Sequence, residues 1–296
     1  MPVAAPRAGR VLNEITAPRR FFFGVIALAA AFVAYLGLAA PASIDRTFTW
    51  AALPPLHARF VGMLYLFGAV YMVGCILASR WRQVSPALPA IGIFTSLLLL
   101  VTLLNLEAFD FGLGPVWVWT VSYVVYPAIA FALAWTARGR VGTMDHGPAL
   151  PRWASLFLRA QAVVFAVLGV LLLVARDAMV DVWPWPIDPG LAQFYGGPFL
   201  AYAFCSWRYA GRVSWREVAA IVPAMLVFTA GTVVVSLLHR GLFAGDEPAT
   251  WIWFGGFGAA AAVLLVMTVR ALSPGPARLR AGRGPTRPAP SASSSP

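Results

Sequence analysis

The 296-residue chain carries little charge: Asp, Glu, Lys and Arg make up only 11% of it, whereas hydrophobic residues make up 60%. Soluble globular domains ordinarily contain about 25% charged residues. Apolar stretches of roughly 20 residues recur along the chain, and that length spans a hydrocarbon layer of about 30 Å. The composition therefore excludes an ordinary soluble enzyme and predicts an all-α integral membrane protein with several spans.

Lysine is absent, so all 22 basic residues are arginine. This excludes a Schiff base to retinal or pyridoxal phosphate, and the bias is typical of a high-GC bacterial genome. Cysteine is scarce: Cys75 and Cys205 lie inside apolar stretches, where we interpret them as small buried hydrophobes rather than a disulfide or a metal site. The sequence also lacks the nucleophile-elbow, zinc-protease, C-x-x-C, Walker and dinucleotide motifs. We therefore expect no catalytic residue, no metal and no cofactor.

Eight apolar segments are long enough to span a membrane. They lie near residues 21–40, 57–78, 87–106, 116–136, 155–175, 190–210, 217–239 and 251–271. Of the arginines, 17 fall on one side of these segments and four on the other, while Arg159 falls inside the fifth segment. The positive-inside rule then predicts a bacterial cytoplasmic (inner) membrane protein with both termini in the cytoplasm. The net charge of +11 indicates contact with anionic lipids at the cytoplasmic face rather than with nucleic acid.

The sequence repeats itself at an offset of 134 residues without a gap. Residues 55–119 and 189–253 share 19 identities in 65 positions, where composition alone would give roughly 6. The identities include Pro55/Pro189, Phe60/Phe194, Trp81/Trp215, Pro89/Pro223, Thr95/Thr229 and Trp119/Trp253. Because four segments separate each residue from its equivalent, both halves enter the membrane in the same direction. The offset predicts two parallel four-helix repeats related by a pseudo-twofold axis along the membrane normal.

Changes in composition divide the chain into five parts. Residues 1–20 form a basic cytoplasmic lead, 21–136 the first repeat, 137–153 a cytoplasmic linker, 154–272 the second repeat, and 273–296 a basic cytoplasmic tail that we expect to be disordered. Within the second repeat, Gly196-Gly197-Pro198 is expected to interrupt the sixth segment. The hydroxyls of Thr95 and Thr229 are expected to bond to their own helix backbone or to a neighbouring helix, and the alternative is a substrate contact.

A polar patch at the outer ends of the second, third, sixth and seventh segments is the candidate ligand site. It contains His57, Arg59, Asn105, Glu107, Gln193 and His239. The scaffold residues around this patch are retained between the repeats, whereas the polar residues themselves differ, which favours a ligand site. The alternative to a ligand site is that these polar residues only end helices at the membrane interface. If segments two and three form an antiparallel hairpin, Arg59 and Glu107 should make an ion pair. His57 and His239 as two axial haem ligands is a further interpretation, which nothing else in the sequence supports.

The sequence leaves three functions open. The first two are non-enzymatic and are preferred over the third. The first is binding or transport of an uncharged or lipophilic small molecule, and it calls for a cavity between the halves. The second is an accessory subunit that binds another membrane protein, and it calls for a filled interface and an exposed apolar flank. The third is an outer-leaflet lipid-linked glycosyl or acyl transferase that uses outer carboxylates such as Asp45, Asp177, Asp181 and Asp188.

Overall fold

A computed structural model describes residues 14–51, 53–139, 142 and 147–273. Across these ranges the chain is helical and forms no strand; a single isolated bridge joins Ala149 to Ser214. The eight long helices, labelled α1 to α8 in chain order, are Ala17–Ala39, Pro55–Leu77, Ala87–Leu104, Gly114–Trp135, Arg152–Val174, Pro189–Ala210, Val222–Leu238 and Pro248–Leu272. Most of the predicted basic lead, and the predicted tail beyond Ser273, lie outside the described residues.

Proline and a side-chain cap set several of the helix starts. Helices α2, α6 and α8 each begin at a proline, where the missing N–H would have had no partner within the helix. Asp188 caps α6, because its Oδ1 accepts the backbone N–H of Leu191 at 2.9 Å. Local chemistry thus places the helix starts close to the ends of the predicted apolar segments.

Within the described residues, six helices are long and apolar enough to cross a membrane: α1, α2, α3 together with the short helix Trp81–Val84 before it, α4, α5 and α8. A multi-pass helical membrane protein is therefore confirmed. Helix α7 has only 17 residues. Helix α6 contains Gln193 and Arg208 and is buried over most of its length, so its neighbours are mainly other helices, and it needs less apolar surface than a lipid-facing helix.

The two halves of the chain interlock. Helices adjacent in sequence pack as the pairs α1–α2, α3–α4, α5–α6 and α7–α8, and the halves meet through α2–α7 and α3–α6. The expected hairpin of the second and third segments is therefore wrong, because α2 packs against α1 and α7, whereas α3 packs against α4 and α6.

Close helix contacts in both halves use glycine. A side chain on Gly37 of α1 would collide with the backbone of α2 at Ala58 and Gly62, so small residues let these helices approach closely. In the second half, Gly196 of α6 packs against α5, and α6 runs unbroken through Pro198. The predicted interruption at Gly196-Gly197-Pro198 is thus wrong; the glycines serve close packing.

Aromatic side chains fill the interface between the halves. The hydroxyls of Tyr71 and Tyr209 lie 2.9 Å apart, and Phe60 packs edge-on against Tyr195 with ring centroids 4.9 Å apart. All four side chains are at most 2% exposed. Cys75 and Cys205 are free and buried, as interpreted from the sequence. The middle of the molecule is a packed core.

The buried threonines bond to their own helices, as expected. The hydroxyl of Thr95 donates to the carbonyl oxygen of Ile91 at 2.7 Å, and that of Thr229 donates to Met225 at 3.0 Å. Such bonds satisfy a hydroxyl locally. Neither of these hydroxyls is left over as a donor for a substrate.

Candidate functional site

Arg59 does not pair with Glu107 as predicted. The Arg59 guanidinium instead lies with Nη1 2.5 Å from Nε2 of His239 on the other half. Glu107 is exposed in the short turn Leu106–Ala108 after α3. The physical reason is the interlocked packing, because α2 lies beside α7 rather than α3. Since arginine can only donate, Nε2 of His239 must accept, and burial together with the Arg59 charge lowers the pKa of His239.

Asn105 and Gln193 make the repeat-equivalent contact. Asn105 donates from Nδ2 to Oε1 of Gln193 at 2.9 Å, and Arg176 donates to the same Oε1 at 3.1 Å. At the 134-residue offset, Gln193 corresponds to Arg59 and His239 to Asn105. The Arg59–His239 contact and the Gln193–Asn105 contact therefore use equivalent positions of the two repeats. Each contact joins one half to the other.

His57 lies apart from both of these contacts. It is buried, and its Nδ1 lies 2.9 Å from the hydroxyl of Tyr195. One ring nitrogen of His57 and one of His239 thus engage protein groups, which does not favour the haem interpretation. Five of the six predicted site residues take part in three separate contacts between the halves, Arg59–His239, Asn105–Gln193 and His57–Tyr195, and the sixth, Glu107, is exposed. They do not form one pocket.

Two similar aromatic clusters stand at the outer end, by which we mean the end of the bundle that carries loops 40–54 and 183–188. In the first, Trp50 packs against Phe109, Trp119 and Phe194 at centroid distances of 5.2, 4.9 and 5.3 Å. In the second, Trp185 packs against their equivalents Phe243, Trp253 and Phe60 at 5.4, 4.7 and 5.4 Å. Each cluster contains one phenylalanine from the opposite half, Phe194 in the first cluster and Phe60 in the second.

A cleft between α5 and α8 lies near these clusters and has a volume of about 1250 Å³. All of its lining residues belong to the second half, so it does not lie between the halves, where the sequence-based transport hypothesis placed a cavity. The α5 lining runs from Phe157 to Leu171, a helical distance of about 21 Å. Val164 and Ile252 line the cleft and are 54% and 73% exposed. The cleft therefore opens sideways, on the flank where lipid would lie.

Small residues on α8 open this cleft. Gly256, Ala259 and Ala260 line it, and their equivalents on α4 are Ser122, Val125 and Tyr126. In the first half the Tyr126 ring meets Phe22 of α1, with centroids 6.5 Å apart. The run of small residues that begins at Gly255 is the feature of the sequence that favours a cleft beside α8. The run alone does not show whether a side chain from a neighbouring helix fills the space beside it.

Two tryptophans at the outer end of the cleft have indole N–H groups that are buried and have no protein partner among the described residues. Trp183 and Trp185 line the cleft and are 8% and 2% exposed, and in the described part of the chain neither Nε1 finds a hydrogen-bond acceptor. By contrast, Trp119 donates to Thr102 and Trp253 donates to Ser236, both at 2.9 Å. A buried hydrogen-bond donor that has no acceptor costs about 1–3 kcal/mol. An acceptor on a bound molecule that reached the indole N–H of Trp183 or Trp185 would recover that cost.

Charge at the cleft has one sign. Among the described residues that line it, the only ionised groups are Asp181 and Glu247, both exposed at the outer mouth. Deeper in the cleft, Gln161 is already bonded, donating to Ser206 at 3.2 Å and accepting from Tyr202 at 3.3 Å. The interior is thus apolar, with its unmet polarity concentrated at the outer end.

A second cavity of about 340 Å³ lies between α3 and α6 at the outer end. It is lined by Trp50, Asn105 and Asp188 among others, so one residue of the predicted patch faces it. Asp188 already caps α6, and Asn105 already bonds to Gln193. This smaller space offers fewer unmet polar groups than the α5–α8 cleft.

No family model matches the chain, and neither a curated protein nor a solved structure matches it significantly.

Proposed function

We propose that the protein is a non-enzymatic membrane protein that binds an uncharged or lipophilic small molecule in the α5–α8 cleft. The observation that carries this proposal is the cleft itself, with its apolar walls, lateral opening and two unpartnered indole donors at the outer end. A volume of about 1250 Å³ exceeds the roughly 300–1,000 Å³ of an ordinary small-molecule pocket. It suits a molecule with a hydrocarbon chain.

The indoles supply the preference for a ligand over ordinary lipid tails. Lipid chains are as apolar as the cleft walls, so burying one chain in place of another gives little net free energy. Satisfying Trp183 and Trp185 is worth about 1–3 kcal/mol for each donor, less the cost of ordering the ligand. A bound molecule with oxygen acceptors near one end is therefore preferred over a plain hydrocarbon.

A lipid-like occupant fits better than a transmembrane helix of another protein. The segment Met179–Pro186 contributes the outer lining of the cleft, so a helix running the full membrane depth would meet it. Backbone carbonyls inside a helix are already bonded to its own N–H groups, so such a helix offers the indoles little. Binding is also preferred over passage, since packed aromatic rings fill the interface between the halves.

Three of the four carboxylates named for a transferase have other contacts. Asp188 caps α6, and Asp45 accepts the backbone N–H of Leu53 at 3.4 Å. Asp177 lies 3.9 Å from the adjacent Arg176 in an exposed pair. No group of three His, Cys, Asp or Glu that could hold a metal occurs in the searched part of the chain. Nothing here favours the enzyme over the binding protein.

The finer architecture is part of the proposal. We infer eight spans, α1 to α8, arranged as two parallel repeats in a bacterial inner membrane, with both termini cytoplasmic and the arginine-rich side facing anionic lipids. The paired contacts described above support the duplication. Single cysteines in a cysteine-free background test it: Asp110 and Ala244 should react with an impermeant thiol reagent in intact cells, and their inner counterparts Ser79 and Val213 should not. Opposite sidedness within either pair would contradict parallel repeats.

Filling the cleft tests the binding function. Ala260→Tyr places on α8 the residue that α4 carries at the equivalent position, so the fold has a precedent for it. The probe is a photoreactive monoacylglycerol added to purified protein, with cross-linked peptides located by mass spectrometry. The wild type should be labelled on α5, α8 and the 179–186 segment, and Ala260→Tyr should reduce that labelling at least tenfold. The matched control is Ala262→Tyr, an exposed α8 position outside the cleft, which should label normally.

Two results would contradict the binding function. One is equal labelling of the wild type and Ala260→Tyr, and the other is labelling spread over all lipid-exposed helices. Cross-links from the cleft to a second protein in place of the probe would favour the accessory-subunit hypothesis instead.

A further inference from the structure

The outer mouth of the cleft combines two features that select a head group. In the part of the chain that the structure describes, the buried indole N–H groups of Trp183 and Trp185 have no acceptor, and the ionised groups that line the cleft are the carboxylates of Asp181 and Glu247. A head group at this position would meet hydrogen-bond donors and negative charge together. We infer that the cleft takes an amphiphile whose head group accepts hydrogen bonds and carries no net negative charge. This inference rests on the proposed binding function.

Hydrogen bonding decides that the head group is an acceptor. The indole N–H can only donate, so a head group that offers only donors, such as an alkylammonium, leaves both indoles unmet. Ester, ether, hydroxyl and phosphate oxygens all meet the requirement. Aromatic residues with one polar edge are also common at the depth where lipid ester groups lie.

The net charge of the head group determines which hydrogen-bond acceptors the cleft prefers. Phosphate and carboxylate head groups are strong acceptors, but a net negative one would face two carboxylates with no lining arginine to offset them. Both carboxylates are exposed, so water and salt weaken the repulsion without removing it. The cytoplasmic arginines that would attract anionic lipids lie at the opposite end of the proposed spans. The cleft therefore discriminates against the lipids that the inner face is expected to attract.

Competition between two lipids of equal chain length tests the head-group preference. Lysophosphatidylcholine and lysophosphatidylglycerol share one acyl chain and one phosphate, and they differ in net charge. In displacing the photoreactive monoacylglycerol from the wild type, lysophosphatidylcholine should be at least tenfold more effective, a difference of about 1.4 kcal/mol. In the double variant Asp181→Asn/Glu247→Gln the two should fall within about threefold of each other. Asp246→Asn, a nearby exposed acid outside the lining, should keep the tenfold preference.

A second pair of variants tests the indoles. Trp183→Phe and Trp185→Phe keep a ring in place and remove the N–H, and each should weaken both lipids by a similar factor without changing their ratio. Equal competition by the two lipids in the wild type would overturn the head-group inference and leave the binding function standing. Failure of both lipids to compete, with labelling unaffected by Ala260→Tyr, would remove the binding function and the inference together.

Discussion

The buried carboxylate of Glu217 ties the two halves together at the inner end of the bundle. It lies in the short helix Trp215–Val218 before α7, and its Oε1 accepts from Arg82 Nε of the other half at 2.5 Å. Its Oε2 accepts the backbone N–H of Val213 at 3.1 Å. In the first half the equivalent residue is Gln83, whose Oε1 accepts the equivalent backbone N–H of Ser79 at 3.0 Å. Glu217→Gln should therefore remove the charge and keep the local acceptor.

The expected loss follows from the burial of the pair. The side chain of Glu217 is 1% exposed and that of Arg82 is 18% exposed. Removing one partner of a buried ion pair typically costs about 3–5 kcal/mol, because the other charge is left uncompensated. Arg82 keeps some access to water and can extend toward it, so we expect a smaller loss of about 2–3 kcal/mol. For a chain of this size that corresponds to a Tm lower by about 5–10 °C.

Scanning fluorimetry of purified protein in detergent measures this loss, and a double-mutant cycle assigns it to the pair. Glu217→Gln and Arg82→Gln should each destabilise, and the double variant should lose much less than the sum of the two. Additivity within about 0.5 kcal/mol would refute the reasoning, because it would mean that the two charges do not interact.

The same variant has a pH signature. Burial on its own would raise the pKa of Glu217, but hydrogen bonds from Arg82 and the Val213 backbone, with the charges of Arg82 and Arg212, lower it below its ordinary value of 4.5. A carboxylate whose pKa is lowered by folding stabilises fully above the unfolded pKa, and that contribution is lost as pH falls through the folded pKa. The Tm difference between wild type and Glu217→Gln should thus be constant from about pH 8 to pH 5 and shrink below about pH 4.5. A difference that persists unchanged at low pH would exclude charge as its cause.

Two further predictions concern helix contact and the outer pair. Gly74→Ala should destabilise the protein by about 1–3 kcal/mol through overpacking, since the new Cβ would lie 2.5 Å from the carbonyl oxygen of Ala220. The control Gly255→Ala meets open space and should leave the Tm in detergent unchanged or slightly higher. Equal effects of the two variants on the Tm would contradict the Gly74–Ala220 contact. Arg59→Gln should raise the pKa of His239, measured by NMR titration of its ring, but leave it below 6.5 because burial still lowers it; an unchanged pKa would mean that the Arg59 charge does not reach the ring.

The sequence by itself determined the protein class and the positions of the helices. Apolar runs of membrane length and prolines at helix starts are local properties, and α1 to α8 begin within about five residues of the predicted segments. The behaviour of Thr95 and Thr229 was equally predictable, because a hydroxyl four residues from a carbonyl in a helix finds its partner without help from the rest of the fold.

The tertiary structure alone decided which helices meet. Hydropathy shows that α2 and α3 are apolar, but any apolar face can pack on any other, so nothing in their residues excludes the hairpin that was expected. Across the two halves, α2 packs against α7 and α3 packs against α6. Arg59 therefore contacts His239 instead of Glu107, and the predicted site is divided. The α5–α8 cleft has the same origin: Ala260 marks a small residue on α8, but whether a neighbouring side chain fills the gap, as Tyr126 meets Phe22 in the first half, depends on packing between helices distant in sequence.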